Sequence, residues 1–392
     1  MNLFHIVVKS LRQHALSTWV TAVSIALAGG LLMSVWSVKT QSNRAFTNVS
    51  GGFDAVLGAR GSKLQLVLNS IYHLEASPGN MKWQDFLDIR ANRSVAEAIP
   101  LAVGDNYLGY RVVGTSTNLF DRAPVAHGRV FNDGYREALA GSFAAQRIGL
   151  KVGDSIRPYH GLNFNPADQH EEDYVIVGVL EPSNSPADRV IWIPLEGVQN
   201  MTGHDPETAG DVSSVLVKLR TPIAGQQLDT LYNKQGDRLT FAWPIGAIMA
   251  QLFDKIGWFD RVLAIVAYLV AAVATGSILA SIYNSMNERR RDFAILRSLG
   301  ARRHTIFSAI VLESTFIAAL GMVMAFGIYL VIMFGAANVI RTQTGVVLNP
   351  YAWHPVMIWA PLGMIGAAAF AGVIPAFKAY RTDVASNLVP VS

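Results

Sequence analysis

Three histidines outside any apolar run are the residues best suited to chemistry: His160, His170 and His204. His170 opens the run His170-Glu171-Glu172-Asp173, and imidazole beside carboxylate is a donor set for zinc or copper. Their spacing matches no helical i, i+4 pair and no fixed metal loop. An H-E-E-D run reads as a solvated loop, so no metal is assigned and binding by these histidines stays an open alternative. No serine or aspartate stands in a nucleophile–base pattern, and no catalytic residue is assigned. The glycine-rich stretch GGFDAVLGARGSK (51–63) lacks the Gly-Lys-Ser/Thr ending of a phosphate loop. Cysteine is absent altogether, which excludes disulfides and thiolate metal sites.

The chemistry that remains is recognition by charge and shape, and residues 285–303 carry it: SMNERRRDFAILRSLGARR. Arg289, Arg290, Arg291, Arg297, Arg302 and Arg303 face two acids, Glu288 and Asp292. Phe293, Ile295, Leu296 and Leu299 are the apolar positions. Ile295 and Leu299 are four apart, as are Asp292 and Leu296, so a short helix would gather apolar residues on one side and arginines on the other. Gly300 stands where a helix C-cap is expected, with Arg302 and Arg303 past that end. Such a segment is expected to dock a cytoplasmic partner. The alternative is that the arginines only set membrane topology.

The elements that flank this segment are apolar. The chain of 392 residues is 51% hydrophobic and 15% charged, against about 25% charged in soluble domains. Crossing a bilayer takes about 20 apolar residues in a helix. The expected order is a cytoplasmic amphipathic helix (1–17) and a first, retained span (18–38). A large outer domain follows (39–255), then a second span (256–284), the docking segment (285–303) and a third span (304–340). A short outer loop (341–355), a fourth span (356–377) and a cytoplasmic tail (378–392) complete it. Lys9 and Arg12 before the first span, the arginine cluster after the second, and Lys378 and Arg381 after the fourth place those segments in the cytoplasm. The net charge of +4 is divided among membrane-flanking segments, so nucleic acid is not an expected partner.

Within the apolar runs at the heart of these spans (19–38, 262–283, 306–340 and 356–377) only Glu313 is charged, which argues against a path for polar solutes; Arg302 or Arg303 is its expected partner. Ala272, Gly276 and Ala280, and likewise Gly363, Ala367 and Ala371, repeat at spacing four and predict close helix packing, within one chain or between two. The outer domain reads as α+β. Residues 107–113, 174–180, 189–194 and 214–219 are predicted strands, and 63–74, 83–92 and 138–149 predicted helices. The 63–74 helix sets Leu64, Val67, Leu68, Ile71 and Leu74 on one face, either packed into the domain or exposed to a hydrophobic substrate.

Residues 288–301 (ERRRDFAILRSLGA) resemble the segment between the second and third spans of the FtsX/MacB-like, type VII permeases of ABC transporters. The resemblance extends to Gly128-Arg129-Val130-Phe131, to AAQRIGLKVGD (144–154), to residues 174–180 and 188–195, and to the closing IPAFKAYR (374–381). It covers essentially the full chain. It implies a four-span permease of the bacterial inner membrane with a large periplasmic domain, paired as a homodimer or heterodimer with two copies of an ABC ATPase. ATP and Mg would bind that partner and not this chain, which has no Walker A motif and is expected to be no enzyme. The layout is similar to the separate-subunit LolC and LolE proteins. The resemblance further implies mechanotransmission, with residues 288–303 contacting the ATPase and the outer domain acting on a lipoprotein, lipid, peptide or drug. The alternative it carries is an FtsX-like signalling protein whose periplasmic domain activates an envelope enzyme.

Overall fold

The computed structural model describes residues 3–48, 50–203, 210–288, 295, 297–298 and 300–381. Its helices in chain order are α1 (Leu3–Gln13), α2 (Ala15–Asn48), α3 (Lys63–Ser70), α4 (Trp83–Ala91) and α5 (Ser142–Ile148). Then come α6 (Leu195–Gln199), α7 (Pro222–Asp229), α8 (Ile245–Glu288), α9 (Arg303–Thr344) and α10 (Val356–Arg381). Residues form two compact units, one drawn from 1–41, 257–337 and 349–392, the other from 42–256 and 338–348.

The first unit holds the apolar helices. Four helices, α2, α8, α9 and α10, are long and apolar enough to cross a membrane. Their buried positions recur every three or four residues: Ala22, Ile25, Gly29 and Met33 on α2; Ile306, Ile310, Ser314, Ile317, Gly321 and Ala325 on α9; Ala360, Met364 and Ala368 on α10. That is the single stripe a helix offers to its neighbours. Glycine makes the closest approach. A Cβ on Gly321 would lie 2.7 Å from the Cβ of Ile25 and 2.8 Å from the carbonyl oxygen of Ala22, so α9 meets α2 backbone to backbone there. The spacing-four residues read from the sequence fall partly elsewhere: Ala272, Gly276 and Ala280 lie on the exposed side of α8 and nothing stands within 4 Å of a Cβ at Gly276 or Gly363, whereas Ala371 is buried beside Gly372, where a Cβ would run into the Ser314 hydroxyl. Glu313, expected beside Arg302 or Arg303, instead accepts a hydrogen bond from the Ser10 hydroxyl of α1.

The second unit is one mixed sheet with helices on both faces. Its strands are β1 (Ala55–Ala59), β2 (Val95–Tyr107), β3 (Tyr110–Thr115), β4 (Val125–Gly128), β5 (Glu137–Ala140), β6 (Ser155–Ile156) and β7 (Tyr159–His160). β8 (Tyr174–Leu180), β9 (Ile191–Pro194), β10 (Ser214–Leu219) and β11 (Leu239–Ala242) follow. Their order is β11-β1-β10-β2-β3-β9-β5-β8-β4, with β6 on β8 and β7 on β2. The β3–β9 and β5–β8 pairs are parallel and the others antiparallel.

Alternation along the strands builds two cores. Ala55 and Leu57, Val215 and Val217, and Ile191 and Ile193 face α4 to α7, where Phe86, Ala144, Val198 and Leu228 pack. Val56, Leu216 and Trp192 face the other way, with Leu66 and Val67 of α3 and Ile245, Ile248 and Met249 of α8. Covered on both faces, these strands read as unbroken apolar runs.

Two local expectations change. Residues 107–113 are not one strand, because Leu108 (φ +50°) and Gly109 (φ +84°) form a two-residue hairpin turn that pairs Tyr107 with Tyr110. Residues 138–149 are not one helix. Ala138, Leu139 and Ala140, all fully buried, complete β5 between β8 and β9, and the helix starts only at Ser142. Pairing on both edges there overrides alanine's helix preference.

Candidate functional site

The arginine segment joins α8 to α9. Among its residues, Arg289, Arg290, Arg291, Asp292, Phe293, Leu296 and Leu299 lie outside the described residues. Glu288 closes α8, exposed, 3.6 Å from the Nδ1 of His14. Ile295 is 42% exposed, which is much for an isoleucine. Ser298 donates to the carbonyl of Ile295, and the Gly300 N–H donates to the carbonyl of Arg297 at 3.1 Å. Gly300 has φ +96°, the left-handed conformation of a helix-ending glycine. Arg302 accepts from the Thr305 N–H, and Arg303 opens α9 with its guanidinium 5.6 Å from the Tyr380 ring.

In the sheet unit, α3 turns its apolar side inward. The expected 63–74 helix ends at Ser70, with Ile71 as its C-cap: Val67 is fully buried and Ile71 nearly so, Leu64 and Leu68 pack partly against the same core, and Leu74, past the helix, is left 38% exposed. Ile71 also lines a cleft of about 250 Å³ whose walls include Phe53, Leu119, Phe120, Leu180 and Trp192. The Phe120 and Trp192 rings meet edge to face at 5.7 Å, and His73 meets Trp192 edge-on at 5.4 Å. Burial, reinforced by the Arg111 charge, pulls the His73 imidazole down to about 3, so it stays neutral. The cleft is walled mainly by apolar groups, with Arg122, Glu181, Ser70, Ser183, Ser185 and Asp188 as its polar part; the Asp188 carboxylate accepts from the N–H groups of Ser183 and Asn184.

The histidines form a second constellation. His204 lies outside the described residues. His170, expected in a solvated loop, is 6% exposed. Asp105 of β2 is fully buried and β7 sets His160 directly across from it in register. His170 Nε2 lies 3.1 Å from Asp105 Oδ1 and His160 Nδ1 lies 3.5 Å from the same oxygen. The three ligand atoms are all within 4.8 Å of one another. On its other side His170 Nδ1 sits 2.7 Å from the Thr202 carbonyl oxygen. Thr202 is itself held by Glu172, whose carboxylate accepts from both the N–H (3.0 Å) and the hydroxyl (2.7 Å). Burial alone would raise the Glu172 carboxyl, but the two Thr202 donors hold it below the usual carboxylate range. The neighbouring Asn106, also buried, donates to the carbonyls of Gly161 and Asn163 and so ties the loop after β7 to β2. Sequence spacing could not find this group, because Asp105 and His160 meet only through strand pairing.

Comparison with known proteins agrees with this architecture. Residues 18–230 match the MacB-like periplasmic core domain, and residues 264–384 match the FtsX-like permease C-terminal family. No curated protein matches the chain. Among solved structures, the periplasmic region of MacB from Actinobacillus actinomycetemcomitans is similar at 12% identity and a TM-score of 0.36, over 54% of this chain and 98% of that one. The extracellular domain of the noncanonic ABC-type transporter YknZ from Gram-positive bacteria is similar at 16% identity and a TM-score of 0.31, over 48% of this chain and 98% of that one. With one family model covering more than half of its length and the other taking up its last three apolar helices, this chain belongs to the FtsX/MacB-like, type VII permeases of ABC transporters.

Proposed function

We propose that this chain is the membrane subunit through which a separate ABC ATPase in the bacterial cytoplasm drives an outer domain to act on a hydrophobic or amphiphilic substrate. Two permease copies and two ATPase copies make up the working assembly, and the subunit layout is of the LolC/LolE kind. The observation that carries the reading is helix continuity. α8 starts with Ile245, Ile248 and Met249 in the core of the sheet unit and runs as one helix to Glu288, the residue that opens the arginine segment. A helix is a stiff element, so a force applied at the arginines is transmitted along its axis without any solute entering the bilayer. The apolar cleft beside Ile71, Phe120 and Trp192 supports an apolar group as the part of the substrate held outside.

Co-purification tests this directly. With the detergent-solubilised wild-type chain as bait, an ABC ATPase should be recovered. Replacing Leu296→Asp together with Leu299→Asp should abolish that recovery while the permease still inserts and elutes as before. Recovery equal to wild type would overturn the docking assignment. A periplasmic enzyme recovered in place of a lipidated or apolar cargo would favour the signalling alternative.

A further inference from the structure

We infer that Asp105, His160 and His170 form a binding site for a borderline divalent transition metal, Zn²⁺ foremost, in the outer domain. Donor type comes first. Two imidazoles and one carboxylate select zinc-like ions over Ca²⁺ or Mg²⁺, which take oxygen ligands. Distance comes second. Ligand atoms held tetrahedrally at the usual Zn–N and Zn–O bond lengths lie about 3.4 Å apart. Here the two nitrogen–oxygen separations are 3.1 and 3.5 Å and all three donors lie within 4.8 Å of one another, so two of the three edges already match such a tetrahedron.

Proton bookkeeping on His170 comes third. Its Nδ1 faces a carbonyl oxygen and its Nε2 faces a carboxylate oxygen, so both ring nitrogens look at acceptors. A neutral imidazole has one N–H only. With Nδ1–H donating to Thr202, the Nε2 lone pair points at a negative oxygen, an arrangement that a shared cation resolves. Metal-bound histidines carry just this outer arrangement, the second nitrogen donating to a backbone carbonyl that fixes tautomer and ring plane. Glu172 extends it one step outward by clamping Thr202. The rival is an imidazolium–carboxylate pair with no metal. Three protein donors leave a fourth position, and the His160 side chain, 57% exposed, marks the solvent side from which the ion and a fourth ligand would enter. Bound there, the ion would clip β7 and the His170 loop to the buried end of β2.

The test uses the full-length chain in detergent, purified without a polyhistidine tag, stripped with a chelator and titrated with Zn²⁺ against a chromophoric competitor. Wild type should hold one Zn²⁺ per chain, and Co²⁺ in its place should give the intense visible absorption of a tetrahedral centre. His160→Ala and Asp105→Asn should each weaken binding by more than about 100-fold, beyond the 10–100-fold that an outer partner costs. Glu172→Gln should fall within that smaller range. Because the His160 side chain is mostly exposed, His160→Ala keeps the test decisive even if Asp105→Asn fails to fold. No Zn²⁺ retained by wild type, or His160→Ala binding as wild type does, would overturn the site and leave the imidazolium pair.

Discussion

His73 shows what one buried side chain does to the outer domain's response to acid. It holds a left-handed backbone conformation (φ +54°), packs edge-on against Trp192, and has Arg111 donating to its carbonyl. Its imidazole is pulled from the usual 6.5 to about 3 by burial and by the Arg111 charge. In the unfolded chain the same ring titrates normally, so below its unfolded value the unfolded state binds a proton that the folded state refuses. Stability is then complete above that value and falls as pH drops through it. Lowering the pH from about 7.5 to about 5.5 should cost the outer domain ~1.4 kcal/mol through this residue alone. Asn tolerates left-handed φ and does not titrate, so His73→Asn should remove that part of the acid sensitivity. Thermal midpoints of the detergent-solubilised chain at the two pH values measure it, and equal acid losses in variant and wild type would refute it. His170 teaches the same lesson about reading sequence. Its neighbours Glu171, Glu172 and Asp173 advertise solvent, yet partners as distant as Asp105 and Thr202 bury it. Local polarity carries no information about those partners.

At the scale of elements, the fold was legible where one period ran long enough to be decisive. Residues 174–180 and 214–219 read as strands and are strands, and the four long apolar runs are helices. It was illegible where a partner set the state. Ala138, Leu139 and Ala140 look helical alone and become β5 only because β8 and β9 flank them. The same holds for helix packing. Small residues at spacing four occur on α8 and α10, but those on α8 face outward while Gly321 on α9, outside either triplet, meets backbone on α2 at Ala22, for spacing says which residues permit contact and not which helix arrives. Gly321→Leu should therefore disrupt the apolar unit, lowering the yield of monodisperse chain and its thermal midpoint, since its side chain would meet backbone on α2. Gly276→Leu, with open space at its Cβ, should leave the folded yield of the single chain unchanged. Size-exclusion profiles and melting curves of the two variants decide this, and a reversed ranking would mean that the α2–α9 contact is not what holds the unit together.

At the scale of the whole molecule, charge placement and cysteine content combine into a test of orientation. The α8–α9 connection concentrates six arginines in residues 285–303, whereas the α9–α10 connection has only Arg341 near it, and that guanidinium lies 5.3 Å from the Phe143 ring of the sheet unit. Short loops rich in arginine stay cytoplasmic, so the expectation to be tested is that the sheet unit and the arginine segment lie on opposite sides of the membrane. With no native cysteine, a single introduced thiol reports its own side without background. Lys151 suits the outer reporter, being exposed and tied to Asp154 through its backbone N–H and carbonyl, and Ser298 suits the inner one, exposed two residues before Gly300. A membrane-impermeant maleimide should label Lys151→Cys in intact cells and label Ser298→Cys only after the membrane is opened. Labelling of Ser298→Cys in intact cells would place the arginines outside, out of reach of any cytoplasmic ATPase, and the coupling mechanism would fall with it.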